Sequence, residues 1–153
     1  MEAFAETSFL FSLYCEQEHS AEAVDCAKSL TPGVSLSPLV RFEFENGLRF
    51  QAGRFRRDRS QGIASKQATE ARLAFNDDFT AGFWRPREFE FPEILRRAEA
   101  LSTRFTGDNL MRAMDILHVA TAIHWGARTI LTFDARQAKL AKAAGLKCPL
   151  KVR

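Results

Sequence analysis

The chain has 153 residues, of which 46% are hydrophobic and 27% are charged, and its net charge is +3. This composition predicts a single globular domain over residues 1–153 and excludes a disordered chain. No apolar run approaches the roughly 18 residues that a membrane-spanning helix needs. The three cysteines lie far apart without a C-x-x-C pair and the N-terminus lacks a signal-peptide pattern, which favours a cytoplasmic protein over a disulfide scaffold or a zinc knuckle.

The first half of the chain alternates short apolar segments with helical periodicity. Residues 4–10 predict a strand that runs into a turn or a helix, residues 20–30 a helix, and residues 34–36 a short strand. Ser37 followed by Pro38 is typical of a helix start, with serine as the N-cap and proline in the first turn. Apolar residues then recur on one face of the predicted helix, at Val40, Phe44, Leu48, Ala52 and Phe55.

The second half continues the alternation of helices and strands. The pattern predicts helices over residues 61–81, 92–105, 110–125 and 134–144, a break at residues 106–109, and strands over residues 87–91, 129–133 and 147–152. Gly145 is a typical helix-terminating glycine. Alternating helices and short apolar strands indicate an α/β fold with a mostly parallel sheet covered by helices on both faces.

One acidic residue lies where an apolar residue is expected. Asp115 falls in the predicted helix over residues 110–125, which is apolar nearly all round and should therefore be buried. A buried carboxylate is costly unless a metal ion or a basic partner neutralises it, so Asp115 is a candidate metal ligand. A structural salt bridge or a hydrogen-bonded aspartate is the alternative. His118, three residues later, is interpreted as a core residue and not as a ligand.

Two further acids follow predicted strands. Glu6 comes directly after Phe4 and Ala5, and at the carboxyl end of a strand it would face the crevice where open α/β sheets bind ligands. A solvent-facing glutamate on an edge strand is the alternative. Asp134 follows the strand over residues 129–133 and forms a capping box with Gln137. Capping is compatible with a ligand role, because the site would lie at the same end of the sheet.

The helix that begins after Ser37 carries a fourth candidate acid. Glu43 lies one turn before Gly47, and a small residue there leaves room for a partner or a ligand. Glu45 has the same chemistry and competes with Glu43 for this role. A solvated helix face would explain either residue without a function.

A basic cluster follows on the same predicted helix. Its four arginines within six positions predict either a solvated helix end or a patch that contacts phosphates. They are Arg54, Arg56, Arg57 and Arg59. The chain contains no G-x-S-x-G, G-x-x-x-x-G-K-[ST] or G-x-G-x-x-G motif and no D-x-D pair, which argues against several common enzyme classes, including an unrelated α/β phosphohydrolase.

The order and spacing of the four acids resemble the PIN-domain family of nucleases, and in particular the VapC-type toxins of bacterial toxin–antitoxin pairs. The resemblance extends over about residues 4–150 and is carried by the segments FAETSFLFSLY, SPLVRFEFENGLR and RAMDILHVATAIHWGARTILTFDARQAKLAKAAGL. It implies a three-layer α/β/α sandwich around a parallel sheet. By position, the acids that it implies are Glu6, Glu43, Asp115 and Asp134.

The resemblance also implies an activity. We expect an endoribonuclease whose acids bind Mg²⁺ or Mn²⁺, with Glu6, Asp115 and Asp134 contacting the metal and Glu43 orienting or activating water. The expected substrate-binding residues are Ser8, Thr132, Arg54, Arg56 and Arg57. The expected partners are an RNA substrate, a protein antitoxin and a second copy of the chain. The family's first acid is normally Asp, so the alternative is a catalytically degenerate module that binds RNA or protein.

Overall fold

The computed structural model describes residues 3–151. In chain order, its elements are β1 (Ala3–Ala5), α1 (Thr7–Tyr14), α2 (Ser20–Ser29), β2 (Val34–Leu36), α3 (Pro38–Arg57), α4 (Ser65–Thr80), β3 (Trp84–Pro86), α5 (Phe91–Asn109), α6 (Ala113–His124), β4 (Thr129–Leu131) and α7 (Ala135–Ala143). Within these described residues, no helix is both long enough and apolar enough to cross a membrane.

The strands are short and parallel. β1 pairs with β4 in a register that places Phe4 opposite Ile130, and β2 pairs with β3. These are two two-stranded parallel pairs, and β1 lies beside β2, so that the four strands follow one another in space in the order β3–β2–β1–β4. A single bridge joins Thr129 of β4 to Lys147. The predicted α/β fold with a mostly parallel sheet is confirmed.

Helices cover both faces of the sheet. Phe4 in β1 packs against α6 and its C-cap, with ring centroids 6.4 Å from His118 and 5.9 Å from Trp125. On the opposite face, Ala3 borders a cavity that is also lined by Cys26 of α2. Every residue of β1 and β4 is buried, as expected for strands covered on both sides. The predicted three-layer arrangement is therefore confirmed.

The start of α3 follows its sequence signals. Ser37 is fully buried, and its hydroxyl accepts a hydrogen bond from the Leu39 N–H at 3.2 Å, while Pro38 occupies the first turn. Four of the five predicted core residues of this helix are buried, and Phe55 is half-buried. This helix begins at the carboxyl end of β2, which brings its first turns to the edge of the sheet where β1 also ends.

Several predicted boundaries are wrong. The strand predicted over residues 87–91 is instead β3, because the buried Trp84 pairs with β2 while residues 87–90 form an exposed or half-exposed connection. The break predicted at residues 106–109 is absent: α5 continues to Asn109 and ends at Leu110, which has a φ of +51°. Packing of α5 against α6 outweighs the helix cost of one glycine, Gly107.

Two more boundaries differ from their predictions. The helix predicted over residues 61–81 begins only at Ser65, because Gly62 adopts a left-handed conformation with a φ of +73° that ends the preceding turn. The strand predicted over residues 147–152 is reduced, within the described residues, to the bridge at Lys147. Its residue Val152 lies outside the described part of the chain.

The space beside Gly47 belongs to the core and not to a ligand. A Cβ atom at this position would lie 2.7 Å from Cζ of Phe11, whose ring packs edge-on against Phe44 with a centroid distance of 5.1 Å. The expectation that Gly47 leaves room for a partner or a ligand is therefore wrong. The glycine lets α1 and α3 approach each other closely.

Gly47→Ala is expected to be less stable than the matched variant Gly53→Ala by about 1–3 kcal/mol, because alanine at position 47 overpacks against Phe11. At Gly53, on the same helix, the nearest atom to a Cβ is Arg56 Nη2 at 3.8 Å, so alanine should stabilise the protein by up to about 1 kcal/mol. Urea unfolding followed by circular dichroism measures both values. Equal stability of the two variants would show that the Phe11 ring moves aside freely.

Candidate active site

Glu6 lies at the carboxyl end of β1 and caps α1. Its Oε2 accepts hydrogen bonds from the Ser8 N–H at 2.9 Å, the Ser8 hydroxyl at 2.5 Å and the Thr132 hydroxyl at 2.9 Å. The residue is only 6% exposed. Burial raises the pKa of Glu6, although these hydrogen bonds oppose the rise. Ser8 and Thr132, both predicted to bind substrate, therefore contact the acid directly.

Gln137 also holds the Glu6 carboxylate. This fully buried residue of α7 satisfies its neighbours when its amide nitrogen faces them. The nitrogen then lies 3.2 Å from Oε1 and 3.1 Å from Oε2 of Glu6, and 3.2 Å from the Thr132 hydroxyl. Groups from α1, from the end of β4 and from α7 thus converge on one carboxylate.

Glu43 reaches the same region from α3. Its Oε2 accepts hydrogen bonds from the Thr7 hydroxyl and from Nε2 of His118, the latter at 2.7 Å. Burial acts to raise the pKa of Glu43, but the two hydrogen bonds outweigh burial, so the net pKa lies below its usual value. The Glu43 side chain is therefore ionised at neutral pH.

Glu45, the competitor of Glu43, faces a different side of α3. It accepts hydrogen bonds from Arg41 at 3.2 Å and from Arg49 at 3.3 Å, which are ion pairs spaced four residues apart along the helix. Glu45 is thus a salt-bridge residue, and Glu43 is the acid that joins Glu6.

Asp115 lies in the first turn of α6, and one of its carboxylate oxygens is unsatisfied within the part of the chain that the structure describes. Its Oδ2 is buried and has no hydrogen-bond partner among the described residues. Burial, and then the charge of Asp134, raise the pKa of Asp115, while Arg112 opposes the rise. An orphaned carboxylate oxygen beside a second carboxylate is the environment that a cation would neutralise.

Asp134 caps α7, as predicted, but the predicted capping box is not completed, because the Gln137 side chain contacts Glu6 and Thr132 and not the Asp134 N–H. Its Oδ1 accepts hydrogen bonds from the N–H groups of Arg136 at 2.8 Å and Gln137 at 3.0 Å. Its own N–H donates to the Thr132 hydroxyl at 3.1 Å. Asp134 is therefore connected through Thr132 to the hydrogen bonds that hold Glu6.

These acids fit a hard divalent cation. One ligand atom from each of Glu6, Glu43 and His118 lies within 4.8 Å of the other two. Asp115 lies one turn before His118 on α6, and the charge of Asp134 acts on its carboxyl group. Carboxylate oxygens without a cysteine are the donors that Mg²⁺ and Mn²⁺ prefer.

Two of the site's residues were not singled out as functional by the sequence pattern. His118 was interpreted as a core residue, and Gln137 only as part of a capping box. The signal for His118 is its spacing of three residues from Asp115, which places both on one face of α6. The signal for Gln137 is its position three residues after Asp134, in the first turn of α7.

The predicted arginines lie away from the acids. Arg54 donates to the side chain of Gln61 at 2.7 Å, and Arg56 contacts Ser65 at 3.4 Å. Positions 54 to 57 follow Glu43 by 11 to 14 residues, a distance of about 17–21 Å along a helix. The structure does not bring these arginines to the acidic cluster, so any contact that they make would be with a more distant part of a substrate.

A protein family model and several solved structures match this chain. A family model described as PIN domain matches residues 3–143. The solved structure of VapC20 from Mycobacterium tuberculosis, described as a sarcin-ricin loop cleaving toxin, is 18% identical over 95% of this chain and 96% of that chain, with a TM-score of 0.67.

Two further solved structures match over almost their whole length. A toxin–antitoxin complex from Klebsiella pneumoniae is 17% identical, covering 98% of this chain and 99% of that chain, with a TM-score of 0.63. FitAcB from Neisseria gonorrhoeae is 17% identical, covering 92% and 93%, with a TM-score of 0.62. At these identities the likeness shows a common fold. No curated protein matches the chain significantly.

Proposed function

We propose, from the premise that this chain belongs to the PIN domain family, that it is a metal-dependent endoribonuclease and the toxin of a toxin–antitoxin pair. The observation that carries the proposal is the buried Oδ2 of Asp115, which has no protein partner within the described residues. We place Asp115 in one site with Glu6, Glu43 and Asp134; this placement is supported by its position one turn before His118, which contacts Glu43. Glu6 is buried and the other three acids are half-buried, and a divalent cation would neutralise such a group of carboxylates.

Glu6, Asp115 and Asp134 are the residues that would hold Mg²⁺ or Mn²⁺, directly or through water. When bound, the ion supplies a water of lowered pKa and polarises the scissile phosphate. Thr132 and Ser8 would keep the Glu6 carboxylate in place, because both donate to its Oε2.

Glu43 is the residue that would orient and deprotonate the attacking water. Because its pKa lies below the usual value, it is ionised and can accept a hydrogen bond from water at neutral pH. The water oxygen would form a bond to phosphorus, its proton would pass to Glu43, and the bond from phosphorus to one ribose oxygen would break, with that oxygen taking up a proton from solvent. The low pKa makes Glu43 a weak base, so its main contribution would be orientation.

The proposed partners are an antitoxin and a second copy of the chain. One fold neighbour was solved as a toxin–antitoxin complex, which supports an antitoxin partner. Phe42 and Phe50 on α3 are 64% and 62% exposed and offer apolar contact area for a protein. We place the protein in the cytoplasm, a proposal supported by the three free cysteines in the described chain.

The test is cleavage of labelled single-stranded and structured RNAs with Mn²⁺ or Mg²⁺, compared with the same reaction in EDTA. We expect products only when a divalent ion is present. Cleavage in EDTA would contradict metal dependence. Absence of cleavage of every RNA with either ion would contradict the nuclease proposal.

Replacing Arg54, Arg56 and Arg57 together with glutamine is expected to raise KM for RNA with little change in kcat. These side chains lie too far from Glu43 to touch the reacting phosphate but could bind neighbouring phosphates. The slope of log affinity against log salt should fall by about one for each phosphate that the variant no longer binds. Arg128→Gln, which replaces an exposed arginine before β4, is the control, and an equal effect per charge removed would mean that only net charge matters.

A further inference from the structure

His118 is a buried imidazole that has no role in the proposed reaction. It is 1% exposed, and its Nε2 lies 2.7 Å from Oε2 of Glu43. The two residues are 75 positions apart in the chain and belong to α3 and α6. A buried polar ring in an apolar helix is costly, so a contact of this length indicates a specific partner and not incidental packing.

The second ring nitrogen determines which way the hydrogen bond runs. Nδ1 of His118 is buried and has no hydrogen-bond partner among the described residues. A hydrogen on Nδ1 would therefore be an unsatisfied buried donor, whereas a hydrogen on Nε2 is accepted by the Glu43 carboxylate. The neutral ring thus carries its hydrogen on Nε2 and acts as the donor.

The same nitrogen argues against metal ligation through Nε2 of His118. A ring nitrogen of His118 lies within 4.8 Å of a ligand oxygen of Glu6 and of Glu43. A histidine that binds a metal through Nε2 must carry its hydrogen on Nδ1, where it normally donates to a carboxylate, a carbonyl or water. The described residues offer Nδ1 no such acceptor.

Glu43 needs an anchor because its side chain is long and partly exposed. Thr7 from α1 and His118 from α6 both donate to Oε2, while Oε1 has no hydrogen-bond partner in the described part of the chain. The Glu43 side chain is 35% exposed, so Oε1 is available to water. We propose that His118 is a positioning residue, which holds Oε2 of Glu43 so that Oε1 faces the attacking water. This inference rests on the proposed nuclease function.

Three substitutions at position 118 separate the hydrogen bond from packing. Gln places an amide N–H near the position of Nε2, whereas the shorter Asn places it near Nδ1 and falls short of Glu43. Phe keeps the ring and removes the donor. We expect His118→Gln to retain kcat within about tenfold, and His118→Asn and His118→Phe to lose about 100-fold. Mn²⁺ affinity, measured by calorimetry, should stay unchanged in all three variants.

Two readouts do not depend on RNA cleavage. The ¹⁵N spectrum of His118 at alkaline pH should show a hydrogen on Nε2, and this signature should weaken in Glu43→Ala. A hydrogen on Nδ1, a His118→Phe enzyme with wild-type kcat, or a His118→Gln enzyme as impaired as His118→Phe would overturn the inference. A 10- to 100-fold loss of Mn²⁺ affinity in His118→Phe would make His118 a ligand and overturn it too. Absence of cleavage by the wild type would instead defeat the proposed function.

Discussion

Asp115→Asn is expected to abolish metal-dependent RNA cleavage, lowering kcat by about 1000-fold, while the fold persists. Asparagine matches the shape of aspartate but removes the charge of an oxygen, Oδ2, that is buried without a partner in the described chain. Cleavage of labelled RNA with Mn²⁺, beside circular dichroism of both proteins, measures the effect. Unchanged cleavage by the variant would refute the assignment of Asp115 to the metal.

The same substitution should increase stability when metal is absent. Burial and the charge of Asp134 raise the pKa of Asp115 above its usual value of 3.8. Because the pKa of Asp115 is raised in the folded state, protonation of Asp115 stabilises the folded protein, and this stabilisation is fully present below about pH 3.8. It is lost as pH rises through the folded-state pKa. Because the asparagine side chain does not titrate, the variant should be more stable than the wild type in EDTA at neutral pH, and the difference should shrink in acid.

Urea unfolding in EDTA over a range of pH tests this dependence. The matched control is Asp108→Asn, which removes the same charge from an exposed position on α5. Identical pH profiles for Asp115→Asn and Asp108→Asn would show that Asp115 is not held in an unfavourable environment. Added Mn²⁺ should reverse the order of stability, because the ion binds only the folded wild type strongly.

Local patterns were enough to place the acids on their elements. A carboxylate in an apolar helix identified Asp115, and the positions of Glu6 and Asp134 after predicted strands put both at one edge of the sheet. These inferences succeed because hydrophobic periodicity determines which face of an element is buried. Parallel strands then bring their carboxyl ends together, which is why Glu6 and Thr132 meet although they are 126 positions apart.

Contacts between distant elements could not be read from the sequence. Thr7 and Glu43 are separated by 36 residues, and His118 and Glu43 by 75. Whether Glu43 or Glu45 faces the site depends on the rotation of α3 against α1 and α6, which no local pattern specifies. The space at Gly47 was assigned to a ligand for the same reason, since only the fold shows that Phe11 fills it.

Glu6 stands where the family motif normally has aspartate, and its side chain is longer by one methylene. Catalysis depends on whether the site accommodates this length. In the structure the longer side chain is accommodated: Oε2 reaches the Thr132 hydroxyl at 2.9 Å, and the carboxylate lies within 4.8 Å of ligand atoms of Glu43 and His118. The extra methylene therefore places the Glu6 carboxylate within hydrogen-bond distance of Thr132 and close to Glu43 and His118.

Glu6→Asp is accordingly expected to lower cleavage by about 10- to 100-fold. Aspartate can still cap α1 through the Ser8 N–H, but its carboxylate is shorter by one C–C bond of about 1.5 Å and withdraws from Thr132 and Gln137. Losing the Thr132 hydrogen bond should also cost about 1 kcal/mol of unfolding free energy. Titration of Mn²⁺ and Mg²⁺ in the RNA assay measures the change, with Glu45→Asp as the control.

The degenerate-module alternative requires the opposite result. If Glu6 had cost the chain its catalysis, the wild type would be inactive with both ions and Glu6→Asp would create cleavage. The two hypotheses thus predict changes of opposite sign from one substitution. A gain of activity would identify the natural chain as a binding module. A loss from an active wild type would mean that Ser8, Thr132 and Gln137 hold a glutamate in place of the usual aspartate.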